Sequence, residues 1–348
     1  MITGKEKSAI LLIYTGGTIG MKEDPSIQAL RPFDFSQILA EVPELRKYAY
    51  KIDNYTFSPL IDSSDIEPSI WKQLVEIIEE KYEEYDGFVI LHGTDTMAYS
   101  ASALSFMCEG LTKPVIFTGS QLPIGVPRTD GKENLISAVE IAAAKDAEGH
   151  AIVPEVCIYF DNVLMRGNRT TKVNSDNFRA FRSENLPPLA EAGINIRYNG
   201  SIIRKPADWD AKPLFHKRLD TRVSILKLHP GITPQVVRNI LYGEESRAVI
   251  IETYGAGNAP SKEWFMEMIR EVSQNGKILM NVTQCRAGSV NMDIYATGKN
   301  LKEAGVVNGY DSTTESALAK LFFLMGHHKE NLPVKINLEK ELRGEISK

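Results

Sequence analysis

The chain has 348 residues, of which 43% are apolar, 8% aromatic and 24% charged, a composition that can build a packed interior and excludes a disordered or fibrous protein. By surface scaling a chain of this mass buries about three-quarters of its unfolded surface, which suits one large domain or two ordinary ones. Forty Lys plus Arg against forty-five Asp plus Glu leave a net charge of −5, so the electrostatic attraction on which nucleic-acid binding depends is missing.

The N-terminal MITGKEKSAILLIY sets two lysines before an apolar run. That run is too short for a signal h-region and has no small-residue cleavage site, so it reads as a first strand. No apolar stretch approaches the roughly 20 residues of a membrane helix, which points to no membrane association and a cytoplasmic location. Cys108, Cys157 and Cys285 are too few and too scattered for a disulfide framework or a zinc site, in keeping with a reducing compartment. The four glycosylation sequons at Asn54, Asn168, Asn199 and Asn281 then carry no implication.

Along the chain, apolar runs of strand length each end in a small, polar, Gly-containing segment: AILLIY then TGGTIG, FVIL then HGTDTM, PVIF then TGSQLP, and VCIYF then DNVLMRGN. SILKL before HPG, AVIIE before TYGAGNAP and KILM before NVTQCRAG repeat the pattern. Continuous rather than alternating apolar runs predict strands covered on both faces, as in a doubly wound parallel sheet. Helix patterns fall between them: Ile66–Tyr82 with Asp65 as cap and Pro68 in the first turn, an almost wholly apolar Met97–Cys108, and Asn134–Lys145 capped near Asp130. Residues 194–220, with Asn199-Gly200, Pro206 and Pro213, break this rhythm. The expected organisation is an α/β protein with a larger N-terminal domain over 1–200, a linker over 201–220 and a smaller α/β domain over 221–348.

In parallel sheets, ligands sit beyond the carboxyl ends of strands. Thr15-Gly16-Gly17-Thr18 puts a hydroxyl directly after the first strand, and His92-Gly93-Thr94-Asp95 puts hydroxyl and carboxylate at a strand end before a helix. Thr and Asp are also common helix caps, and Gly a common turn residue, so either segment has a plain structural reading too. Lys172 follows two hydroxyls in Thr170-Thr171-Lys172; it is either a solvated lysine or, in a partly dry cleft, a base. The G-G-x-x-G spacing is not a dinucleotide fingerprint, and no phosphate-loop lysine motif or G-x-S-x-G elbow occurs. Ser69-x-x-Lys72 with Ser175-Asp176-Asn177 imitates two β-lactamase elements, but no K-T-G follows. His92, His150, His216, His229, His327 and His328 show no zinc spacing, and His92 reads as a locally bonded residue. Catalysis would therefore use hydroxyl, carboxylate and amine groups.

Together YTGGTIGM at Tyr14, DSSD at Asp62, HGTDTM at His92, TGSQLP at Thr118, TKVNSDNFRAF at Thr171 and YGAGNAP at Tyr254 resemble the bacterial-type L-asparaginase family, specifically its cytoplasmic type I branch. The resemblance implies hydrolysis of L-asparagine to L-aspartate and ammonia without metal or organic cofactor, weak action on glutamine, and a homodimer or homotetramer. Thr15 matches the nucleophile, and Thr94, Asp95 and Lys172 match the relay. Backbone N–H groups around Gly93-Thr94 would hold the oxyanion. Ser63 matches the residue that binds the substrate α-carboxylate, with Asp95 on the α-ammonium. Asn258 matches an asparagine presented near the neighbouring subunit's active site. A second, regulatory site in some members lies near positions matching Thr171, Glu252, Thr283 and Cys285; Glu252 stands where enterobacterial members have arginine, which predicts absent or altered regulation. The segment matching the flexible lid, KEDPSIQALRP over Lys22–Pro32, lacks the tyrosine many members carry there. Lid closure then falls to other groups such as Leu30 and Arg31, or the first half-reaction is assisted differently. Tyr14 cannot take over, because its strand position points it away from Thr15. An archaeal glutamyl-tRNA amidotransferase subunit and a non-catalytic ligand-binding α/β protein are the alternatives.

Overall fold

A computed structural model describes residues 8–24, 29–32 and 40–347, with backbone alone for 22–24 and 29–32. Two compact units divide the chain: the first takes in the described residues up to Ser183 and Pro187–His216, and the second Glu184–Leu186 and Lys217 onward.

The first unit is built on β1 (Ala9–Tyr14), β2 (Lys51–Thr56), β3 (Gly87–Leu91), β4 (Val115–Thr118), β5 (Val156–Phe160), β6 (Val163–Arg166), β7 (Ala190–Ala192) and β8 (Ile196–Tyr198). They form one sheet in the order β8-β7-β6-β5-β4-β3-β1-β2. From β2 to β5 neighbours are parallel, and from β5 to β8 they are antiparallel. The sheet is therefore mixed, and not parallel throughout as the apolar runs suggest. The reversal is made at Asp161-Asn162, both at positive φ (47° and 65°), a two-residue turn that returns the chain from Phe160 directly onto Val163. Every residue of β3, β4 and β5 is buried, as their unbroken apolar runs require. The edge strand β2, KIDNYT, is largely exposed and has no such run, so the apolar criterion passes over it.

Helix α1 (Pro68–Lys81) buries Trp71, Leu74, Val75, Ile77 and Ile78. It starts later than Ile66, because Pro68 holds Glu67 extended (φ −118°, ψ 161°) and the chain cannot enter the helix earlier. Asp65 accordingly lies in a separate 3-10 turn, Ser63–Asp65, and the cap of that turn is Asp62. Helix α2 (Met97–Met107) is buried nearly throughout. Helix α3 (Gly131–Ala143) begins after Asp130, whose carboxylate makes no capping bond and accepts instead from the backbone N–H groups of Gln121 and Leu122. The first unit continues into the rhythm break of residues 194–220 as far as His216: Leu214–Phe215 pairs with Cys108–Glu109.

The second unit is a four-stranded parallel sheet of β9 (Val223–Lys227), β10 (Ala248–Thr253), β11 (Ile278–Thr283) and β12 (Val307–Asn308), in that order. Helices α4 (Pro234–Leu241), α5 (Glu263–Gln274) and α6 (Ala296–Glu303) supply core residues such as Val237, Phe265, Ile269 and Leu301. Helix α7 (Thr314–His327) carries Lys320, fully buried and paired at 2.5 Å with the equally buried Glu345. The ammonium also donates to the carbonyls of Leu338 and Lys340, and Glu345 accepts from the N–H groups of Leu342 and Arg343. Removing one partner of such a pair leaves an uncompensated charge and costs about 3–5 kcal/mol, whereas replacing both by apolar groups costs far less. Glu345→Ala is expected to lose that amount in urea unfolding and Lys320→Met/Glu345→Leu to recover most of it; equal losses in both would contradict this reading of the pair.

Candidate active site

The site is assembled at the carboxyl ends of β1 and β3. Thr15 follows β1 directly, and its backbone N–H and side-chain hydroxyl both donate to the Leu91 carbonyl at 3.0 Å. The residue is 1% exposed. Past it the chain runs through Gly16 and Gly17, at φ 138° and 94°, conformations that L side chains rarely adopt. Space imposes the same demand: a Cβ on Gly17 would lie 2.5 Å from the Gly93 backbone, and one on Gly93 would lie 2.5 Å from Ser63 Oγ. Glycine at both positions lets the Thr15 loop, the Thr94 loop and the Ser63 turn touch.

The Ser63 turn is fixed from its own side. Asp62 accepts from the N–H and hydroxyl of Ser64, bonds that hold its carboxyl below the usual range. The Thr96 hydroxyl does not cap α2 but donates to the Ser63 carbonyl at 2.6 Å. Tyr14, on the other face of β1, runs under the Thr18–Gly20 turn, where a Cβ on Gly20 would strike its hydroxyl. Burial drives that phenol well above its ordinary range.

Lys172 comes from a third segment. Thr171–Lys172 pairs antiparallel with Phe181–Arg182, and the Val173 N–H closes the hairpin on the Ala180 carbonyl. The Lys172 ammonium donates to Thr94 Oγ1 at 2.8 Å and to Asp95 Oδ1 at 2.7 Å. Its side chain is 18% exposed while that of Asp95 is 65% exposed. The amine is thus half-sheltered between a hydroxyl and a carboxylate whose outer face is open, an arrangement able to move a proton and to receive a cationic group.

His92 has a supporting place. Its Nδ1 donates to the Gly93 carbonyl at 2.7 Å, and Nε2 accepts from the Ser100 hydroxyl at 3.0 Å, which in turn accepts from the Trp71 indole at 2.9 Å. Complete burial pushes the imidazole down to about 4, so it is neutral at physiological pH, and this tautomer satisfies both nitrogens. Since the peptide unit is planar, fixing the Gly93 carbonyl on the ring turns the Thr94 N–H the opposite way. The motif HGTDTM contained this residue, but only the fold reveals the chain from Trp71 behind it. Gln121, in TGSQLP, accepts from the Thr94 hydroxyl at 3.3 Å, a contact that no local pattern signals.

Most of the remaining expected site residues belong to the second unit. Asn258 belongs to the second unit, where its Oδ1 accepts from the Thr297 hydroxyl at 2.8 Å. There Glu252 accepts from the Thr314 hydroxyl at 2.7 Å and lies 3.3 Å from Lys227. The Thr283 hydroxyl donates to the Gly255 carbonyl and accepts from the Cys285 N–H. Thr171 belongs to the first unit, and the Leu30 and Arg31 side chains lie outside the described residues. Among the described residues, Asp146, Glu148 and His150 bring ligand-type atoms within 4.8 Å of one another in an exposed loop, a grouping that histidine spacing alone did not suggest. Lys72, of the β-lactamase imitation, is a solvated partner of Glu76 on α1.

A threonine at the end of one strand, and after a second strand a threonine and an aspartate bonded to a sheltered lysine, define a hydroxyl-and-amine site in an α/β protein. The family Asparaginase, N-terminal matches residues 9–204, and Glutaminase/Asparaginase C-terminal domain matches residues 222–335. The chain is 43% identical to L-asparaginase 1 of Escherichia coli K12, with 98% of this chain and 99% of that one covered. It is similar to the crystal structure of L-asparaginase I from Vibrio cholerae O1 at 41% identity and a TM-score of 0.88, covering 98% of this chain and 100% of that one. The structure of the thermostable L-asparaginase from Thermococcus kodakarensis gives 32% identity and a TM-score of 0.88, covering 98% and 99%. The chain belongs to the asparaginase family.

Burial of neutral His92 makes stability depend on pH. The unfolded histidine takes up a proton near pH 6.5 while the folded one refuses it until about 4, so this contribution is lost as pH falls through that window. Between pH 7 and pH 4.5 the loss comes to about 2–3 kcal/mol. In urea unfolding, His92→Gln should lose less stability than the wild type over that interval by about this amount. Parallel losses would show that His92 is not the buried neutral group described.

Proposed function

We propose that the protein hydrolyses the side-chain amide of L-asparagine to L-aspartate and ammonia, with Thr15 as nucleophile and Thr94, Lys172 and Asp95 as the relay. The observation that carries this reading is the Lys172 ammonium held 2.8 Å from the Thr94 hydroxyl and 2.7 Å from Asp95, within the domain that also presents Thr15. Thr15 Oγ1 attacks the amide carbon; its proton passes to the departing nitrogen, ammonia leaves, and a water opens the resulting ester. A threonine hydroxyl is barely ionised at neutral pH, so both halves need a base, and Lys172 in its neutral form draws that proton through Thr94. Backbone N–H groups at Gly93-Thr94 face the developing oxyanion, a contribution of about 3–4 kcal/mol per donor in a dry site. Ser63 takes the substrate α-carboxylate and Asp95 its α-ammonium. Apart from that water, every step uses the chain's own groups, without metal or organic cofactor.

The N-terminal domain carries this chemistry; the protein acts in the cytoplasm as a homodimer or homotetramer, with Asn258 offered to the neighbouring copy's site. Glu252, engaged by Thr314 and Lys227, opposes a ligand carboxylate. Regulation through Thr171, Thr283 and Cys285 is therefore absent or altered, and the rate is expected to rise hyperbolically with asparagine. A sigmoidal curve would contradict this.

Purified protein at neutral pH is expected to release ammonia from L-asparagine without added metal or nucleotide, and more slowly from L-glutamine. Thr15→Ala is expected to release none above background. Activity that survives in Thr15→Ala would remove the nucleophile. A folded but inactive wild type would remove the reading itself; aspartate should then fail to raise the melting temperature, as it must if it binds the folded state.

A further inference from the structure

The Gln121 side chain stands between two of the segments that make up the relay. Its Nε2 donates to the carbonyls of Ser175 at 3.2 Å and Asn177 at 3.1 Å, at the tip of the hairpin that carries Lys172. Both amide N–H groups are thereby used, so the orientation of the amide is decided by its surroundings, and Oε1 is left to face Thr94 Oγ1 at 3.3 Å. An amide oxygen can only accept. The Thr94 hydroxyl must therefore donate to Gln121, while its lone pair accepts from the Lys172 ammonium.

The backbone of Gln121 is held as firmly. Its N–H donates to both oxygens of Asp130, at 3.1 and 3.0 Å, and Asp130 also accepts from Leu122 N–H and Asn134 Nδ2. Asn134 is 2% exposed, donates to the Gly119 carbonyl and accepts from the Asp161 N–H, which ties the segment to the end of β5. Behind a side chain that is itself only half-buried lies a partly buried polar network that fixes its backbone.

We infer that Gln121 is a positioning residue of the active site, one that sets the rotor of the Thr94 hydroxyl and ties the Lys172 hairpin to it. In the resting arrangement the Thr94 proton points at Gln121 rather than at Lys172. Passing that proton to Lys172 needs two changes: the amine must lose its own proton, and the hydroxyl must turn from Oε1 to Nζ. No bond to carbon changes in that turn. One side chain thus holds donor and acceptor at 2.8 Å while keeping the proton parked until the amine is free to take it. A base misplaced by about 1 Å can cost a hundredfold in rate, which is the sensitivity that such a tie would control.

This inference rests on the proposed amide hydrolysis, and its test separates the two. Gln121→Met keeps length and volume but removes all three hydrogen bonds of the side-chain amide. It is expected to lower kcat for L-asparagine at least tenfold with KM within threefold, because substrate contacts assigned to Ser63 and Asp95 stay in place. Amide exchange in 172–181 should speed up at least tenfold, with β3 and β4 unchanged. If Gln121→Met folds poorly, Gln121→Ser, which is too short to reach either partner, is expected to show the same split. A kcat within twofold of wild type, a loss carried by KM, or unchanged exchange in 172–181 would overturn the inference. A wild type without Thr15-dependent ammonia release would instead overturn the proposed function, and the exchange experiment would still decide whether Gln121 ties the hairpin down.

Discussion

The Lys172 ammonium, shared between the Thr94 hydroxyl and the Asp95 carboxylate, is the contact around which the first unit is arranged. It is a poor source of stability, since Asp95 is 65% exposed and water screens the attraction. Its value is positional. A flexible amine on a four-carbon stem is confined to one place beside a hydroxyl, and that confinement needs a hairpin for Lys172, a helix start for Thr94 and Asp95, and a sheet to set them side by side.

Backbone proximity is what the sheet supplies. Parallel register puts Tyr14 beside Leu91, so the residues that follow each strand emerge together, and Thr15 is drawn back onto Leu91 by two hydrogen bonds. Gly17 and Gly93 then pack backbone against backbone, with Ser63 on the far side. A methyl group at either glycine would separate the nucleophile candidate from the relay, so these two positions are constrained by contact and not by turn geometry alone. The chain Trp71, Ser100, His92 and Gly93 works in the same direction from beneath, fixing one peptide plane with a neutral imidazole.

The legible part of this fold is the part made of unbroken apolar runs. Strands such as Gly87–Leu91 and Val156–Phe160 are buried on both faces and announce themselves, as does α2 with its small and apolar residues. The polar edge strand Lys51–Thr56 and the antiparallel return after Asp161-Asn162 depend on neighbours distant in sequence, and periodicity carries no trace of them. The site divides likewise. The strand-end position of Thr15, Thr94 and Asp95 follows from pattern, and the pairing of Thr94 and Asp95 with Lys172 was carried by resemblance to a family, because 77 intervening residues separate Thr94 from Lys172 in chain order. Gln121 lies in TGSQLP, a motif that carried the resemblance but gave this residue no role, since its importance comes from three partners on two other segments.

The central claim is that the sheltered lysine serves amide chemistry through Thr94. Its most direct measurement is the rate of ammonia release from L-asparagine by Lys172→Met, a substitution close in shape and without an amine, with folding checked by circular dichroism. The account predicts a fall in kcat of roughly a hundredfold to ten-thousandfold, the range for loss of a positioned base. A kcat within a fewfold of wild type would contradict it, and Lys172 would then be a structural partner of Asp95 with the base to be found elsewhere.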